Sequence, residues 1–87
     1  MDRVQATLDR IATQLQHLIA QRNEAWLARA DVRVPAGLSD RSTDAWARSI
    51  EERLADCGVD RVDVRVEVAE VSEAEITRTV FDDHWAE

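Results

Sequence analysis

Residues 62–69 read Val62, Asp63, Val64, Arg65, Val66, Glu67, Val68, Ala69. Successive side chains of an extended chain point to opposite faces, so valine at every second position builds one apolar face and leaves charges on the other. Branching at Cβ also favours extended backbone. The stretch predicts a half-buried strand. Four valines withdrawn from water at about 1.5 kcal/mol each would add about 6 kcal/mol before ordering costs. A strand needs neighbours, and the rest of the chain must supply them.

Working back from this strand, Gly58 predicts a left-handed cap ending a helix. That helix starts at Ser42 or Thr43 with Asp44 in its first turn, and turns Trp46, Ile50, Leu54 and Cys57 inward. Cys57 is expected as a small buried apolar side chain, since a lone cysteine forms neither an internal disulfide nor a structural zinc site. Residues 31–35 predict a short edge strand bordered by Pro35, with Ala36 and Gly37 turning the chain.

Further back, Val4, Leu8, Ile11, Leu15 and Leu18 recur at spacings of four and three, and Ala12, Ile19 and Trp26 widen the same stripe. Asp2 suits an N-cap with Gln5 in the capping-box position, and no breaker intervenes before Pro35, so a helix is expected over residues 3–29. It serves either the core of the monomer alone or also a homodimer seam, although Arg22 and Arg29 would lie on that seam.

Working forward, Ser72 with Glu75 has capping-box spacing and Val71 can staple to Ile76, which predicts a short C-terminal helix from Glu73. The branched residues Ile76, Thr77, Thr79 and Val80 support the alternative, a strand over 75–81 pairing back as a β-hairpin. The expected fold is one α+β domain over residues 1–87: a long N-terminal helix and a second helix on a two- to three-stranded sheet, closed by a short C-terminal helix or hairpin.

The chemistry is sparse. Glycine occurs only at positions 37 and 58, so no glycine-rich phosphate loop or dinucleotide fingerprint can be written, and no nucleophile elbow exists. Tyrosine and lysine are absent. His17 lies beside the apolar stripe, and His84 follows Asp82 and Asp83, where neighbours on a helix diverge too far to share one ion. No catalytic, cofactor-binding or metal-ligating residue is nominated, and enzymatic activity is not expected.

Residues 1–50 carry six acids and seven arginines, residues 51–87 twelve acids and four arginines, within a net charge of −7. An acidic C-terminal half disfavours direct contact with nucleic acid or anionic membrane. No apolar run is long enough to span a bilayer, and the first residues lack the layout of a secretory signal, so a cytoplasmic protein is expected. All eleven basic residues are arginine, which points to a GC-rich bacterium or its phage.

Two features suggest a partner. Phe81 and Trp85, four apart, would share a helix face beside Asp82 and Asp83, as anchors of a groove-binding helix do. Glu67, Glu70, Glu73 and Glu75 would extend a negative surface. Of the three tryptophans, Trp26 and Trp46 are expected in the core and Trp85 outside. The chain therefore reads as a small non-enzymatic protein-binding domain, a regulator, inhibitor or assembly subunit, that meets a basic protein surface through its acidic C-terminal half. The alternative is a phage-type inhibitor of a host nucleic-acid-binding protein that imitates nucleic acid, such as an anti-defence protein. The third is a small metal protein or enzyme using His17 or His84. The first reading requires that the carboxylates beyond residue 50 share an exposed side.

Overall fold

A computed structural model describes residues 2–22, 26–38, 40–59 and 61–82. The elements run α1 (Arg3–Arg22), β1 (Trp26–Pro35), α2 (Thr43–Ala55), β2 (Asp63–Ala69) and β3 (Glu75–Asp82). The three strands form one sheet in the order β2-β1-β3, with β2 parallel and β3 antiparallel to the central β1.

α1 begins as its sequence demands. The Asp2 carboxylate accepts the Val4 amide at 2.9 Å, and the Asp2 carbonyl accepts the Ala6 amide at 3.0 Å. Gln5, read as the second half of a capping box, instead accepts a hydrogen bond from Arg53 of α2, whose guanidinium also engages Asp9. Leu8, Ile11, Ala12 and Leu15 are the buried residues of the helix. α1 stops at Arg22, so the expected helix over 3–29 is too long. Residues 26–29 belong to β1, and Ala28 is an extra residue between the rungs Leu27–Phe81 and Arg29–Val80. That slip interrupts the alternation and makes the segment look helical.

β1 is also the centre of the sheet where a short edge strand over 31–35 was expected. Leu27, Ala30, Val32 and Val34 are buried on its inner face, while Arg29, Asp31 and Arg33 lie on the other. Pro35 borders the strand, and the Leu38 amide donates back to the Pro35 carbonyl at 3.5 Å across a turn with Gly37 at φ 80°.

α2 starts at the Ser42 N-cap, whose hydroxyl accepts the Ala45 amide at 3.1 Å. It ends with Gly58 at φ 91°, where Gly58 donates to the Ala55 carbonyl at 3.0 Å and Val59 to Leu54 at 2.9 Å. This double bond pattern is the Schellman cap that a glycine at that place favours. Trp46, Ile50 and Leu54 are buried against α1 and the inner face of β1. Cys57 is exposed, contrary to expectation, because it lies in the turn after the last buried residue, where Gln16 donates to its sulfur at 2.9 Å.

β2 occupies 63–69 as the valine alternation predicts, yet its valines are unequally covered. Val64 is buried, Val62 and Val66 are half-buried, and Val68 is 47% exposed. The core converges on β1, so an edge strand loses cover towards its end. The expected gain of about 6 kcal/mol from four valines is correspondingly too large.

Residues 75–82 form a strand, which corrects the predicted C-terminal helix. Ser72 and Glu73 lie in a bend between strands, Ala74 is buried, and Ile76 packs against the core. The branched residues decide the outcome over the capping-box spacing. β3 does not pair back on β2 as a hairpin either, since it crosses to the far side of β1. No described helix is long and apolar enough to cross a membrane.

Candidate functional site

Both helices cover the same face of the sheet, because their buried side chains meet the inward residues of β1. Neither described helix covers the opposite face, and strand register arranges its side chains in rungs. Asp63, Arg29 and Val80 form the first rung, Arg65, Asp31 and Arg78 the second, and Glu67, Arg33 and Glu75 the third. Acid and base alternate along β1 and β2 and between them, while on β3 Val80 takes the place of a charge in the first rung.

The ion pairs follow this lattice. Arg29 grips Asp31 two residues on with one edge of its guanidinium, Nε donating at 2.9 Å and Nη2 at 3.1 Å. Arg33 reaches Glu67 at 3.1 Å on one side and Glu75 at 3.8 Å on the other. Arg65 meets Asp63 at 3.1 Å. The hydrogen bond from Arg29 holds the Asp31 carboxyl below its usual range; burial opposes this, and the positive fields of Arg29, Arg78 and Arg65 reinforce it. The same hydrogen bond raises Arg29 further above its already high value. With four arginines and four carboxylates on it, the face is close to neutral.

Each edge strand carries one irregularity. On the β2 side, Glu51 of α2 accepts the Val64 amide at 3.3 Å. On the β3 side, Thr77 is an extra residue between the rungs Asp31–Arg78 and Val32–Ile76, and its hydroxyl donates to the Asp31 carbonyl at 3.2 Å. A bulge and a charged edge both resist pairing with a further strand.

At the start of β1, Trp26 is 59% exposed and faces Asp82 in the register, which corrects its expected place in the core. It continues the α1 stripe in sequence only, because the helix has ended before it. Phe81, expected on a helix face, is half-buried on β3 against the core, with the Arg22 guanidinium 4.6 Å above its ring.

The sequence-nominated acids divide between two places. Glu67 and Glu75 stand on the open face on either side of Arg33. Glu73 lies in the bend before β3 and pairs with Arg10 of α1 at 3.2 Å, while Glu70 is exposed after β2. Asp82 ends β3. Asp83, His84 and Trp85 lie outside the described residues, and so does the anchor pair formed with Phe81. Arg29, Asp31, Arg33, Arg78 and Trp26 were missed, although the alternation of Arg29, Asp31 and Arg33 has the same period as that of Asp63, Arg65 and Glu67. Asp31 and Arg33 fell within the strand expected over 31–35, but the helical reading of residues 26–29 detached Arg29 from them and the strand was placed at an edge, so the full three-rung register was not read.

No family model matches the chain, and no curated protein or solved structure is significantly similar to it.

A groove of about 780 Å³ runs between α1 and β3, lined on the helix by Arg10, Thr13, Gln14 and His17. His17 is exposed and shares a hydrogen bond of 3.1 Å with Gln21. Leu18, Ala74 and Ile76 make much of its lining apolar, and Glu75, Thr77, Arg78 and Thr79 complete the wall on the β3 side.

Proposed function

We propose that this chain is a non-enzymatic protein-binding domain, a regulator, inhibitor or assembly subunit, whose contact surface is the open face of its sheet. The observation that carries the reading is that face itself: the described helices cover one side of the sheet only, and the other side presents an ordered charge lattice with Trp26 at its margin. An exposed indole at the end of a strand whose outer face carries guanidinium groups has the composition of interface anchors. The surface suits a partner of alternating charge with a slot for the indole better than a uniformly basic one, because Arg10 and Arg33 already engage Glu73, Glu67 and Glu75.

The test is affinity capture from the native host with four baits: the wild-type chain, Trp26→Ala, Arg33→Glu and, on the outer side of α2, Glu52→Arg. A specific partner should be retained by wild type and by Glu52→Arg. It should bind Trp26→Ala more weakly by about 2 kcal/mol, roughly thirtyfold. Equal capture by all four baits would show that the sheet face is not the contact. Imitation of nucleic acid would need unpaired carboxylates, and the pairing of Glu67, Glu73 and Glu75 with arginines speaks against it.

A further inference from the structure

From the charge lattice we infer that the open sheet face holds a second copy of this chain, in a two-fold dimer whose sheets are displaced by one strand. This rests on the reading of that face as a protein-binding surface and names its partner.

The lattice selects such an arrangement by its signs. Two copies placed face to face without displacement would set Arg33 on Arg33 and Asp31 on Asp31, like on like. Moving one copy across by a single strand, about 4.8 Å, reverses the sign opposite every position of β1. Arg29 then faces the partner's Asp63, Asp31 the partner's Arg65, and Arg33 the partner's Glu67. A two-fold axis repeats each contact in the other direction, so the three rungs supply both halves of a self-complementary interface. Sheets that pack face to face keep their strands within about 30° of each other, which permits this overlay.

The β1–β2 side is the half of the face suited to it. The ladder from Arg29–Asp63 to Pro35–Ala69 runs without a slip, so its three charged rungs are evenly spaced. On the β3 side the extra Thr77 disturbs that spacing and Val80 takes a charged place. Because each arginine here already has a carboxylate neighbour, association adds second partners to existing pairs at a cost in desolvation. The dimer is therefore weak and sensitive to salt.

The experiment is sedimentation of the full chain over a concentration series. At about 0.05 M salt the wild type should pass from monomer to dimer, and at about 1 M, where screening acts within about 3 Å, it should stay monomeric. Arg33→Glu and Glu67→Arg, each checked for fold by circular dichroism, should each weaken self-association about tenfold or more, and an equimolar mixture of the two should restore it. Restoration is specific to β1 lying over the partner's β2, since only that overlay sets the new carboxylate of one variant opposite the new guanidinium of the other. A wild type that remains monomeric at every concentration overturns the proposal whether or not the variants fold. A dimer unaffected by either substitution overturns it as well, and so does a mixture that fails to re-associate. If the wild type is monomeric while Arg33→Glu still loses a captured partner, only the second copy is refuted; if Arg33→Glu and Trp26→Ala also capture like wild type, the binding reading fails with it.

Discussion

Asp31 is where the charges of the sheet converge, with Arg29 bonded to it and Arg65 and Arg78 beside it in neighbouring strands. Its carboxyl titrates lower in the folded chain than in the unfolded one. The stability this contributes is therefore complete above the ordinary aspartate range near 4 and is lost as pH falls through the lower folded value. Urea melts between about pH 5 and pH 2 should show a decline that is shallower in Asp31→Asn. Trp46 is 1% exposed and carries the Arg41 guanidinium 5.3 Å from its ring centre. Trp46→Ala should cost about 3–5 kcal/mol by denaturant midpoint, a large share of what a domain of this size possesses. Gly58 has open space where a Cβ would stand, so Gly58→Ala should cost only the left-handed backbone penalty, about 1 kcal/mol, in the same measurement.

Among the elements, those with local signals were legible in the sequence. α2 is bracketed by a hydroxyl cap and a glycine cap, and Ser42→Ala should lower the thermal midpoint by the equivalent of about 1 kcal/mol. β2 announces itself by its valines, and the start of α1 by Asp2. β1 and β3 were legible only in part, β1 as a short edge strand over 31–35 and β3 as the alternative to a helix, for different reasons. β1 combines alanines and arginines, good helix formers, with an extra residue at Ala28 that breaks the alternation. In β3, Ser72 and Glu75 stand at capping-box spacing, and what overrides that local preference is pairing with β1, more than forty residues back in sequence. Since the charge lattice consists of β1 residues paired across to both neighbours, the candidate site could not be assembled from the sequence while these two strands were misread.

At the scale of the whole molecule, the sheet face contributes equal numbers of arginines and carboxylates and the two helices together are slightly basic, so the net charge of −7 is carried by the connections, by Asp82 and by the terminal residues. Removing β3 by truncation after residue 74 would strip one side of the central strand of its hydrogen bonds and uncover Leu27 and Val32. Such a chain should lose its cooperative thermal transition and aggregate, as read by circular dichroism and light scattering. The strand order has a further bearing on biosynthesis. The middle strand leaves the ribosome before either flank, and its antiparallel neighbour is the last of the five elements to emerge. A nascent chain holds β1 with an open hydrogen-bonding edge until then, so productive folding is deferred until β3 has been made, and stalling within residues 70–80 would expose the segment most prone to pair with a stranger.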